Sequence, residues 1–104
     1  MIVCVIEYSV EPGMEARNIE MVQMLLPVVA EIDGFISKET FDSRNNPGKI
    51  LTISSWRDMA SLQTWMRDKT HLIAKRAGRE EIFSGYTIRI AEVKTEHSWS
   101  RDKA

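Results

Sequence analysis

Near its N-terminus the chain carries a run that constrains everything after it: Ile2-Val3-Cys4-Val5-Ile6 is apolar at every position. β-Branched residues favour extended chain, and successive side chains of a strand point to opposite faces of the sheet. The strand from Ile2 to Val10, closed by the punctuators Glu11-Pro12-Gly13, therefore belongs to a sheet that needs cover on both sides. The cover the remaining residues supply decides whether one copy of the chain suffices.

From Met14 to about Ile32 the apolar residues Ile19, Val22, Leu25, Leu26, Val29 and Ile32 recur at helical spacing, and Asp33-Gly34 supplies a stop. Pro27 removes a backbone donor inside this helix, which predicts a kink or local break between Gln23 and Pro27. Phe35 to Phe41 and Ile50 to Trp56 have strand composition, and the turn-forming residues from Asp42 to Gly48 join them as a hairpin. Asp58 is placed to cap a helix carrying Met59, Leu62, Trp65 and Met66 on one side. A break near Asp68-Lys69 follows, and Thr70 is expected to cap a second segment from His71 to about Phe83. Ser84-Gly85 is expected to end it, before an alternating strand from Tyr86 to Val93.

The resulting order, βαββαβ, is the ferredoxin-like split βαβ arrangement: an α+β domain with a four-stranded antiparallel sheet and helices on one face. Helices on one face leave the other apolar face wet, so a second copy of the sheet is the expected cover and a homodimer the expected assembly. Residues 1–95 form this single domain. Residues 96–104 form a polar tail, in which Trp99 is expected to anchor against the partner subunit.

Composition narrows the function. Fourteen basic and fifteen acidic residues give a net charge of −1, and no segment gathers enough Lys or Arg to neutralise a run of phosphates, which argues against a nucleic-acid partner. No apolar stretch approaches membrane-spanning length, and the short apolar start lacks a basic n-region, so no membrane association and a cytoplasmic location are expected. The single Cys4, set among apolar residues, suits a buried thiol. Clustered metal ligands, a glycine-rich phosphate loop and a nucleophile elbow are all missing, so neither metal nor cofactor is expected.

Five residues stand out chemically. His71, at the start of a helical segment, suits a neutral base or else a capping histidine. It shares a helix face with Lys75 and Gly78 by i, i+4, i+7 spacing, where Gly78 allows either a close ligand or close helix packing. Trp56 and Trp65 suit the aromatic walls of a binding site or ordinary core. Tyr86 offers a phenolic donor to a substrate oxygen or to backbone. Arg79 suits either an anionic intermediate or a solvated helix face. His97, in the polar tail, is given no role.

Gly34-Phe35-Ile36-Ser37, Ser54-Ser55-Trp56-Arg57-Asp58, Trp65 with His71 six residues on, and Ala74-Lys75-Arg76-Ala77-Gly78-Arg79 followed by Tyr86 stand in a fixed order. Together they resemble the antibiotic biosynthesis monooxygenase family, over roughly Met1 to Val93. The resemblance implies a dimeric α+β barrel with a ligand cavity in each subunit between sheet and helices. It implies three possible activities. The first is cofactor-independent oxidation of a small aromatic or phenolic, quinone-forming substrate by O₂, with His71 as base, Tyr86 as donor, Trp56 and Trp65 as walls, and Thr52 where such members often carry asparagine. The second is haem binding and degradation, for which the places of the similar enzymes' histidine and asparagine hold Lys75 and Glu7. The third is non-catalytic binding of a small apolar ligand.

Overall fold

The computed structural model describes residues 1–101. In chain order the elements are β1 (Ile2–Val10), α1 (Glu15–Ala30), β2 (Phe35–Asp42), β3 (Lys49–Trp56), α2 (Met59–Arg67), α3 (Lys69–Ala77), a π-helical turn (Gly78–Ile82) and β4 (Phe83–Glu92). The strands form one sheet in the order β2-β3-β1-β4, with every pair antiparallel. This is the ferredoxin-like α+β fold expected from the βαββαβ pattern.

Register sorts the side chains. Cys4 pairs with Ser54, Ile6 with Thr52 and Tyr8 with Tyr86, and the burial of Cys4, Tyr8, Thr52, Ser54 and Trp56 marks this as the face under the helices. The alternate residues Val3, Val5, Leu51 and Ile53 point the other way. Under the helices, Cys4, Val29, Trp56, Leu62 and Trp65 form one buried cluster and Met21, Ala74 and Ile82 another. The α1 stripe that packs down runs through Asn18, Met21, Leu25 and Val29, whereas Ile19 and Leu26 of the apolar pattern face solvent.

A bulge in β2 decides which of its side chains reach this layer. Phe35 pairs with Trp56 but Ser37 with Ser55, so Ile36 is the extra residue. Beyond it Lys38 lies opposite Ser54 and Thr40 opposite Thr52, under the helices, while Glu39 and Phe41 turn outward.

Three local expectations are corrected. Helix α1 runs without a break through Pro27 for 16 residues, because the packing of Met21, Leu25 and Val29 holds the helix across the missing donor. The cap of α3 is Asp68, not Thr70: its carboxylate accepts from the amides of Thr70 and His71, at 2.9 and 3.1 Å. The second helical segment reaches Ile82, close to its expected end near Phe83, but its last five residues are a π turn rather than α-helix, and β4 starts at Phe83, ahead of Ser84-Gly85 and not at Tyr86. There the Phe83 amide donates to the Gly78 carbonyl, an i to i+5 closure that turns Ile82 into the core. The expected Asp58 cap is present, with its carboxylate accepting from the Ser61 amide at 2.9 Å.

Two glycines are required by contact. Gly34 has φ of +91°, and a Cβ there would also fall on the Ser61 side chain. Gly78 is helical, but a Cβ would lie 2.6 Å from the Phe83 ring. After Glu92 the described chain has no helix or strand; the Val93 amide donates to the Met1 carbonyl at 2.9 Å, and Trp99 is 72% exposed. The last part of the predicted tail, residues 102–104, lies outside the described residues. No helix among the described residues is long and apolar enough to cross a membrane.

Candidate active site

A cavity of about 160 Å³ opens between the sheet and the helices. Its apolar walls come from Ile6 and Ile88 of the sheet, Met21, Val22, Leu25 and Val29 of α1, and Leu62, Trp65 and Met66 of α2. Polar groups interrupt them at a few places: Asn18, Lys38, the Thr40 and Thr52 hydroxyls, His71 and Lys75. An apolar chamber with a few convergent polar groups is the usual form of a small-molecule site.

His71 is the most constrained of these groups. Its Nδ1 lies 3.0 Å from the Trp65 carbonyl, which can only accept, so Nδ1 carries the proton and Nε2 keeps its lone pair. The ring lies flat on the Trp65 indole, with centroids 4.1 Å apart and planes within 8°. The local sequence produces this geometry: α2 ends at Arg67, Asp68 caps α3, and the short step between the helices brings His71 back over the last turn of α2. Burial pushes the imidazole pKa below its ordinary value. The bond to the Trp65 carbonyl opposes that shift, nearby Lys75 and Lys38 add to it, and Asp68 opposes it weakly. The result is a neutral imidazole with an acceptor nitrogen at the cavity wall.

The other sequence-predicted residues divide. Trp65, Trp56, Thr52 and Tyr86 line the same cavity as His71. Trp56 does so as core: it is 0% exposed, its indole N–H donates to Ser54 Oγ at 2.9 Å, and Phe35 packs edge-on against it at 5.3 Å. Thr52 Oγ1 sits 3.0 Å from Thr40 Oγ1, a mutual hydroxyl pair. Tyr86 stands at the β4 edge, 41% exposed, with its ring against Phe83. Arg79 is not part of the cavity. It lies on the outer surface beside Arg76 and Glu80, because the π turn carries Gly78 and Ile82 inward and leaves the residues between them in solvent.

Among the lining residues that the sequence did not single out are Lys38, Asn18 and Tyr8. Tyr8 is buried and packs on Phe83, with ring centroids 4.7 Å apart. Asn18 is a buried polar residue on the inner stripe of α1, a pattern visible in principle from its spacing with Met21, Leu25 and Val29. Lys38 had no such signal, since only the bulge at Ile36 turns it inward. Burial lowers the pKa of its ammonium. Cys4 also borders the cavity, and burial raises its thiol pKa, which keeps it in the unreactive form. Glu7 points away from the cavity, into ion pairs with Arg89 at 3.3 Å and Lys49 at 3.6 Å on the open face of the sheet.

The fold and this chamber define a class: ferredoxin-like α+β domains with a cavity between sheet and helices. The model of the family described as antibiotic biosynthesis monooxygenase matches residues 1–77, and the chain belongs to that family. It is similar to the jasmonate monooxygenase ABM of Pyricularia oryzae, 33% identical over 93 residues that cover 89% of this chain and 43% of the relative. It is also similar to the uncharacterised protein YqjZ of Bacillus subtilis, 28% identical over 74 residues covering 71% of this chain and 63% of that one. The chain thus spans less than two thirds of either relative. Among solved structures, a candidate antibiotic biosynthesis monooxygenase of Deinococcus radiodurans superposes with a TM-score of 0.85 at 14% identity, covering 97% of this chain and all of its own. Rv0793 of Mycobacterium tuberculosis gives 0.82 at 12% identity, with 93% and 98% covered. At these identities the structures speak for the fold alone.

Proposed function

We propose that the chain is a cofactor-independent monooxygenase that oxidises a small, one-ring phenolic substrate with O₂ and works as a homodimer. The observation that carries this reading is the His71 imidazole at the cavity wall, neutral and with its acceptor nitrogen unclaimed by the Trp65 carbonyl. Membership of the family and similarity to a protein named as a monooxygenase support the oxygen chemistry.

Size selects the substrate. An apolar cavity of about 150 Å³ holds benzene, so a chamber of about 160 Å³ has room for one substituted ring. In the proposed reaction His71 Nε2 takes the phenolic proton, and the phenolate passes one electron to O₂. Superoxide and the aryloxyl radical then combine at the ring carbon opposite the oxygen. The peroxide regains the proton from His71. Loss of water, with departure of that carbon's hydrogen as a proton, leaves the second carbonyl. Phenol and O₂ thus give quinone and one water, with four electrons moved from ring to oxygen and no outside reductant. Trp65 and the aliphatic walls exclude bulk water from the anion, and Tyr86 donates a hydrogen bond to the reduced oxygen. Thr52, paired with Thr40, adds a hydroxyl to the polar side of the chamber. Trp56 closes the far end as packing, and Arg79 takes no part.

The dimer is supported by the face of the sheet that carries Val3, Val5, Leu51 and Ile53, which no helix covers. Trp99, exposed on the arm after β4, is proposed to dock on the partner. Sedimentation at micromolar concentration should give twice the 12.0 kDa chain mass, and truncation after Val93 should weaken the association. A stable lone protomer would refute the dimer. For the chemistry, an oxygen electrode should record O₂ uptake on addition of one-ring phenols and hydroquinones to the purified protein without cofactor, with quinone appearing in the absorbance spectrum. Thermal stabilisation by such compounds with no O₂ uptake would instead identify a binding protein.

A further inference from the structure

The polar end of the cavity carries a charge imbalance. Lys38 enters it from β2 and Lys75 from α3, one helical turn after His71, and no aspartate or glutamate among the described residues lines the cavity. Neither lysine forms an ion pair among the described residues, whereas Arg17, Lys49, Arg57, Arg76 and Arg89 all find carboxylates on the surface. A half-buried ammonium against apolar walls has lost part of its hydration without gaining a counter-ion, a cost relieved when an anion binds beside it. Asp68, the nearby acid, does not fill that role: its carboxylate is committed to the Thr70 and His71 amides and lies outside the lining.

We infer that the cavity selects a carboxylate-bearing ligand, with Lys38 as the anchor for the carboxylate, Lys75 as the second cation, and the apolar body of the ligand lying over Trp65. This rests on the reading of the cavity as the substrate site and narrows the substrate to a one-ring acid. Two features favour a carboxylate over a phosphate. The α3 amides that a phosphate would seek are already capped by Asp68, and a dianion would demand more desolvation than an apolar pocket of this size repays. Lys38 here is a specificity residue; the proton transfer stays with His71.

The experiment is calorimetric titration with three matched probes, 3-phenylpropionate, its methyl ester and 3-phenylpropanol, which share a body and differ in charge. The acid should bind about ten- to a hundredfold more tightly than the ester or alcohol, the worth of a charge-assisted hydrogen bond. Lys38→Met should abolish most of that preference, weakening the acid far more than the alcohol. Lys38→Arg should keep part of it. Lys75→Met should reduce it by less, and gives a second reading if the Lys38 variants do not fold. Equal binding of acid and ester, no binding of the acid, or a preference that survives both Met substitutions would overturn the inference. Because none of these readings involves O₂, they separate from turnover. A protein that selects the acid yet consumes no oxygen with carboxylated phenols sinks the monooxygenase reading alone. O₂ uptake with uncharged phenols and no preference for acids sinks this inference alone.

Discussion

The layer under the helices holds two tryptophans whose surroundings differ in kind. Trp56, at the end of β3, is wholly buried, with its N–H bound to Ser54 and Phe35 against its ring. Trp65, on α2, is nearly as buried, but its face carries the His71 imidazole and its carbonyl fixes the imidazole tautomer. At one end the buried indole N–H is paired internally. The other holds a lone-pair nitrogen and two cations without acidic partners among the described residues. The same residue type thus packs as core in one place and borders the candidate site in the other, and the polar neighbours make the difference.

Substitutions can break this contrast. Trp56→Ala should lower stability by about 3–5 kcal/mol through lost burial and a cavity, seen as a large fall in the urea midpoint; a small fall would show that the closed end is not core. His71→Ala should cut turnover by about 10²- to 10⁴-fold while shifting the urea midpoint far less than Trp56→Ala, since the ring packs on Trp65 without filling the core. Comparable losses of stability in the two variants would erase the distinction between the ends.

Smaller effects sharpen it. Gly78→Ala should destabilise by about 1–3 kcal/mol, because the new methyl meets the Phe83 ring, whereas Gly85→Ala, with nothing within 4 Å, should be nearly silent. Equal effects in thermal melts would dismiss the close approach of Phe83. The smallest signal is in the pH profile. A base with a lowered pKa keeps its neutral form further into acid, so the acid limb of kcat/KM should fall below the ordinary histidine value of about 6.5. Lys38→Met removes a repelling cation and should move that limb upward. Burial is the larger cause, so the limb should remain below the ordinary value. An acid limb above that value would show that His71 is not the titrating group.

Much of the fold was legible in the chain. The β1 span, the β2–β3 hairpin and the Asp58 cap followed from strand composition, turn residues and a capping side chain, all local signals. The switch from α to π geometry at Gly78 was not, because a π turn preserves helical composition while changing phase, and its effect, turning Ile82 into the core, is a tertiary one. Of the candidate site, His71, Trp65, Trp56, Thr52 and Tyr86 were readable as residue types at motif spacing, and they do line one cavity. Arg79 was not separable from them in sequence, since its neighbour Gly78 faces inward.

By itself the sequence determined the order of elements and the apolar character of both sheet faces, because strand and helix periodicities are written in nearest neighbours. Only the tertiary structure decided which polar residues share the chamber. Phe35 points under the helices, so unbroken alternation would have sent Ser37, Glu39 and Phe41 inward with it. The extra residue at Ile36 reverses that parity and delivers Lys38 and Thr40 instead, because a bulge is fixed by pairing with a neighbouring strand, here β3, and strand pairing is not a local property of the chain.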